Sequence, residues 1–205
     1  MKDWHKLLAD ETKILTKHFT SGRAGNRINK VIIHYNLGPL TIGGIHSVWQ
    51  SRPASAHYQV DPSGRIGQLV WDANTAWHAG NSSANRTSIG IEHANGTRTD
   101  LEGPLTAKTL EEGAHLTAAV CKFYGLGRPV WLRNVFPHHH FSSTSCPGPL
   151  KKGQSQHAKY MERAGFWYDQ MTGKAPAPKP APKPQPTPVD DGRPTAVVER
   201  RWSAS

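Results

Sequence analysis

FPHHHFSSTSCPGPL, residues Phe136 to Leu150, is the stretch around which the rest of the chain makes sense. Three consecutive histidines, His138, His139 and His140, precede a cysteine held in Cys146-Pro147-Gly148-Pro149. The prolines and the glycine exclude helix and central strand there, so soft and borderline metal ligands stand beside a rigid turn. The stretch reads as half of a zinc site, and a half-site needs a partner. Upstream, KVIIHYN from Lys30 to Asn36 is a β-branched apolar run that ends on His34, which places an imidazole at the end of a buried strand. The supply of cysteine limits the kind of site. Only Cys121 and Cys146 exist, so a closed cysteine-rich site is excluded, while an open His/His/Cys site of the catalytic kind stays available.

Around these two anchors the chain alternates between strand and helix signals. AHYQVDPSGRIGQLV, from Ala56 to Val70, is the cleanest hairpin signal, with two β-prone runs about Asp61-Pro62-Ser63-Gly64. Alternation along its first run sends His57 and Tyr58 to opposite faces, one to a groove and one to the core. Gly38-Pro39 and Gly43-Gly44 precede a helix expected around Ile45 to Ser51, which makes a crossover between two strands. His46 on that piece is read as a surface or groove residue rather than a ligand. TSIGIEHAN gives a strand ending near Glu92, and VWLRNVF, Val130 to Phe136, gives another that leads into the histidines.

Leu105 to Tyr124 predicts a helix, with Thr106 able to cap it and Gly125 to stop it. Leu110, Ala114, Thr117, Cys121 and Tyr124 fall at three-and-four spacing, so Cys121 reads as a small core residue. Ser155 to Met171 predicts a last amphipathic helix, and Asp3 to Phe19 a short helix or arm. The expected fold class is α/β, a central mixed sheet of about five or six strands flanked by helices, with the site in a groove over the sheet.

Four segments carry a family resemblance: VIIHYN around His34, SAHYQVDPSGRIGQLV from Ser55, AWHAGNSSANRTSIGIEHANG from Ala76, and HHHFSSTSCPG from His138. In that order and spacing, over roughly residues 28 to 150, the chain resembles the zinc-dependent N-acetylmuramoyl-L-alanine amidases. These form the type-2 amidase and peptidoglycan-recognition-protein superfamily, and the likeness is strongest to the catalytic domains of phage endolysins. The resemblance implies zinc on His34, His138 and Cys146; the family's second histidine stands eight positions before the cysteine, which selects His138 over its two neighbours. It implies a catalytic carboxylate at Glu92, a transition-state-stabilising side chain at Thr144, and substrate contacts from Trp77 and His78, which residue types alone read equally as a packed Trp-His pair. His57, by strand alternation, is the third substrate-binding candidate. The resemblance also implies the substrate, the amide between N-acetylmuramic acid and the L-alanine of the peptidoglycan stem peptide. Two departures stand out. Ala56 replaces a tyrosine found in some members, and His140 falls where many have an acidic residue, which leaves the partners that orient the metal ligands open.

Composition bounds the partners. A net charge of +10 comes without a nucleic-acid-binding motif or basic helix and can serve solubility alone; the family resemblance ranks long-range attraction to the polyanionic polymers of a cell wall above nucleic acid. No segment has the length of a membrane span, and Met1-Lys2-Asp3-Trp4-His5 does not open a signal peptide. The expectation is a monomer made in the host cytoplasm that acts on the wall after release.

Residues 1–173 are expected to form the catalytic domain. The Pro-rich run APAPKPAPKPQPTP lies within an expected linker, residues 174–189, and 190–205 are a disordered tail or the remnant of a wall-binding module. Two other functional classes compete: a non-catalytic peptidoglycan-binding module of the same fold, and a thiol hydrolase with Cys146 as nucleophile.

Overall fold

The computed structural model describes residues 2–174, so what is expected of the Pro-rich linker and tail from residue 175 on lies outside the described residues. Strands β1 (Glu11–Thr12), β2 (Phe19–Thr20) and β3 (Lys30–Ile33) lead to helix α1 (Ile42–Ser51). The hairpin β4 (Tyr58–Val60) and β5 (Ile66–Gln68), the short β6 (Thr75–Ala76) and α2 (Ser82–Arg86) follow. Then come β7 (Ser88–His93), α3 (Ala107–Phe123), β8 (Val135–Pro137) and α4 (His157–Met171). Six strands form one mixed sheet in the order β1-β5-β4-β7-β3-β8, in which only β4 and β5 run antiparallel; β2 and β6 pair separately.

Strand alternation decides which residues reach the site. Val31 and Ile33 of β3, Ile89 and Ile91 of β7, and Tyr58 and Val60 of β4 share one core with Leu110, Ala114 and Val120 of α3 and Tyr160 and Ala164 of α4. Ile32 packs on the other face against Ala79 and Ala84. With a period of two, the residues that extend this second face are His34 at the end of β3, Gln59 of β4, and Gly90 and Glu92 of β7. The face left open by α3 and α4 is therefore the face that carries chemistry. Beyond the β4 end of this face, α1 closes a second apolar cluster through Ile42, Ile45 and Trp49.

The expected turn of the hairpin forms as read. Gly64 takes φ +85°, and Asp61 Oδ1 accepts from the Ser63 and Arg65 N–H groups. Helix α3 starts where Thr106 predicts: its Oγ1 accepts from the Thr109 N–H at 3.0 Å and donates to the Pro62 carbonyl at 2.9 Å. Removing this cap with Thr106→Ala should lower unfolding free energy by about 1 kcal/mol, read as a shift of the urea midpoint with unchanged slope.

One open alternative is decided and two local expectations are corrected. Of the short helix or arm expected over Asp3 to Phe19, the arm forms. The Lys13 and Leu15 N–H groups donate to the Gln68 and Leu69 carbonyls, so the arm runs along the β5 edge as extended chain, and covering that edge wins over a weak helical period. Trp4 fixes the start of the arm by stacking on His115 of α3, whose other face stacks on Trp167 of α4. The strand expected over Val130 to Phe136 is reduced to Val135–Pro137, because Asn134 folds the preceding residues into a turn: its Oδ1 accepts from Val130 N–H and its Nδ2 donates to the Leu126 carbonyl. Helix α1 starts at Ile42 rather than Ile45, capped by Thr41, whose side chain accepts from the Gly44 N–H.

Candidate metal centre

β3 delivers His34 to the sheet edge of the open face, and β8 runs parallel beside it and ends at Pro137, immediately before His138. A 3₁₀ turn over His138–His140 and a loop then return the chain to Cys146. Their ligand atoms converge. One nitrogen from each of His34 and His138 and the Cys146 sulfur all lie within 4.8 Å of one another. His34 Nδ1 is 3.7 Å from Cys146 Sγ, close to the roughly 3.6 Å that tetrahedral zinc with one nitrogen and one thiolate ligand requires. The donor set fits a metal with soft and borderline preferences. His139 and His140 stay outside it: His139 Nδ1 donates to the Cys146 carbonyl at 3.1 Å, and His140 packs against Phe136 and Phe141.

The environment of each ligand suits coordination. Burial and the neighbouring imidazoles hold the His34 pKa well below its ordinary value, and burial lowers that of His138 despite a hydrogen bond to the Ala79 backbone. Both rings are then neutral and offer lone pairs. Cys146 Sγ accepts from the Tyr35 N–H at 3.4 Å. Without a metal, burial first and the charge of Glu92 second push its thiol well above the usual range.

The cluster opens into a cleft of about 200 Å³ lined by Tyr35, Trp77, His78, Glu92, Thr144 and Cys146, among others, with α1 forming its far wall. Glu92 is half-buried there. Asn36 Nδ2 donates to its Oε2 at 3.1 Å, and Asn36 is itself fixed by a hydrogen bond from Gln59 Nε2 at 2.7 Å. Burial lifts the Glu92 carboxyl to about 8, with the Asn36 hydrogen bond opposing. Thr144 Oγ1 accepts from the Cys146 N–H at 3.2 Å, which leaves its hydroxyl proton for a group in the cleft.

The three residues expected to touch substrate separate. Trp77 is exposed on the rim, its Nε1 donating to Thr20 Oγ1. His78 is buried behind the metal cluster, with Nδ1 3.0 Å from His34 Nε2. His57 is fully enclosed: its Nδ1 accepts from the Gly90 N–H and its Nε2 is 2.8 Å from Arg23 Nη2. Alternation does put His57 on the expected face, but the arm carrying Arg23 covers it, so it supports the sheet and has no surface in the cleft. Asn36 and Gln59 were not legible as site residues, because one amide lying two residues beyond a strand histidine and another inside a hairpin strand carry no signal until the sheet aligns them with Glu92.

An open cleft over a mixed sheet, with three convergent side chains that could hold a metal ion and a carboxylate beside them, defines an α/β protein with a candidate metal centre. The chain belongs to the Amidase_2 family, N-acetylmuramoyl-L-alanine amidases, whose sequence profile matches residues 24–149. It is 37% identical over 106 residues to N-acetylmuramoyl-L-alanine amidase A of Achromobacter lyticus, a match covering 50% of this chain and 56% of that protein. It is 27% identical over 122 residues to a probable N-acetylmuramoyl-L-alanine amidase of Bacillus licheniformis, covering 55% and 32%. The chain thus spans between a third and just over half of these relatives. In fold it is similar to the Staphylococcus aureus hydrolase AmiA in complex with its ligand, with a TM-score of 0.62, 18% identity, and 84% and 90% of the two chains covered. A mutant endolysin from Bacillus subtilis gives a TM-score of 0.58 at 22% identity, covering 77% and 100%.

Proposed function

We propose that this chain is a zinc-dependent amidase that cleaves the bond between N-acetylmuramic acid and the stem-peptide L-alanine of peptidoglycan. The observation that carries the reading is the convergence of His34, His138 and Cys146 at the floor of a cleft that also holds Glu92. Zinc bound there would polarise the substrate carbonyl and lower the pKa of a bound water to roughly 7. Glu92 then takes a proton from the attacking water and returns it to the leaving amine of L-alanine. Thr144 donates its hydroxyl proton to the oxygen on which charge develops. Trp77 on the rim offers an apolar face to a sugar or peptide. Basic charge draws the enzyme to anionic wall polymers, so activity on intact walls should fall as salt rises.

The thiol-hydrolase reading is weaker, because a buried cysteine whose pKa is pushed up holds no thiolate at neutral pH without a metal. A purely binding module has no use for all three ligands. The full chain on Gram-positive peptidoglycan should release peptides beginning with L-alanine, identified by mass. Release should stop on chelation and resume with zinc; cleavage that persists without metal, or binding without cleavage, would overturn the proposal.

A further inference from the structure

We propose that His78 and Ser88 form a relay that fixes the tautomer of His34, so that its Nδ1 is presented bare to the metal whether or not metal is bound. The proposal rests on the metal-site reading above; His78 lines the back of the cleft, and neither His78 nor Ser88 belongs to the cluster of His34, His138 and Cys146.

The direction of each hydrogen bond follows from the far end. Ser88 Oγ lies 2.6 Å from the Ala84 carbonyl, which has no proton to give, so the serine donates there. Ser88 Oγ can then only accept from His78 Nε2, 3.2 Å away, which places the His78 proton on Nε2. A neutral imidazole carries one N–H, so His78 Nδ1 is an acceptor. It faces His34 Nε2 at 3.0 Å, which must donate. His34 Nδ1 is left with its lone pair, and this is the atom 3.7 Å from Cys146 Sγ. Ser88, His78 and His34 are all buried, so water does not offer an alternative partner.

The surroundings are built to hold His78 in this position. Asn85 Oδ1 accepts from the backbone N–H groups of both His78 and Ala79, which pins the loop. Gly90 of β7 lies under the ring: a Cβ there would come within 2.6 Å of His78 Cγ, so the imidazole occupies space that any other residue would fill. Ser88 and Gly90 are two positions apart on β7, hence on one face, which is why a single strand supplies both the acceptor and the gap. His78 is therefore a positioning residue and supplies the hydrogen-bond partner of His34, one of the ligand partners that the acidic residue missing at position 140 left open.

The first test uses the metal-free full-length wild-type chain and needs no variant. Imidazole ¹⁵N–¹H correlation spectra at neutral pH should show Nε2–H tautomers for both His34 and His78; an Nδ1–H tautomer at His34 overturns the relay. The second measures zinc affinity by competition with a chromophoric chelator, with thermal melts of the metal-free variants as a fold control. His78→Leu should bind zinc about 10- to 100-fold more weakly. His78→Asn, whose Oδ1 overlays the lost Nδ1 acceptor, should recover most of that loss. Equal affinity in wild type and His78→Leu, or equal loss in both variants with folding intact, would overturn the proposal. A wild-type chain that takes up no zinc sinks the metal reading, whereas the tautomers still report on the relay.

Discussion

Cys146→Ser in the full chain is expected to abolish peptidoglycan cleavage and to weaken zinc binding by roughly three orders of magnitude, about 4 kcal/mol, while leaving the metal-free fold nearly unchanged. Serine keeps the size and the Tyr35 N–H contact of the sulfur, so the packing beside the turn survives. It does not supply an anion at neutral pH. Two neutral imidazoles alone make a poor zinc site, and without the metal nothing lowers the pKa of water in the cleft. His138→Ala should give the same loss. His139→Ala should keep near-wild-type zinc affinity, because its ring is turned to the Cys146 carbonyl and away from the cluster. The checks are zinc content after dialysis, affinity by chelator competition, and product release. A serine variant that still cut at a tenth of the wild-type rate would show that the sulfur is not a ligand needed for catalysis.

The cluster of His34, His138 and Cys146 was legible only partly from local signals. His34 ends a β-branched run and Cys146 is bracketed by proline and glycine, while the choice of His138 among three histidines rests on the spacing of the family it resembles. The sheet and the two long helices were legible from local signals, since patterning and caps are short-range. What the sequence hid is long-range alignment. Nothing local says that Glu92 lies opposite Gln59, or that Asn36 reaches across to both. His78 was visible as one of an adjacent Trp-His pair, but its role depends on Ser88 ten residues later and on the missing side chain at Gly90. His57 illustrates the opposite error. Its strand phase was read correctly, yet Arg23 and the arm cover it, and no periodicity in the strand reports what packs on top. For the N-terminal segment the residues leave helix and arm both open, and a free sheet edge, created by β5 far along the chain, decides for the arm.

Glu92→Gln should lower kcat by about 10²- to 10⁴-fold with little change in KM, and should at the same time stabilise the metal-free protein at neutral pH. The two effects have one cause. Burial in the cleft wall lifts the carboxyl from its ordinary range to about 8, because desolvation outweighs the single hydrogen bond from Asn36. Such a group passes protons readily near neutrality, which suits a residue that must accept one from water and return it to an amine. It also costs stability, and the sign follows from linkage. The folded-state pKa lies above the unfolded one, so the folded protein carries no penalty below about 4.5 and loses stability as pH rises from there to about 8. Glutamine preserves the shape and the acceptor facing Asn36 but has no charge to desolvate. Denaturation of the metal-free variant should therefore show a flatter dependence on pH across that window, and a gain on the order of 2 kcal/mol at pH 7 after allowing for partial exposure to the cleft. Loss of activity together with loss of stability would point to a structural carboxylate; loss of activity with a gain in stability is the signature of a strained residue kept for its chemistry.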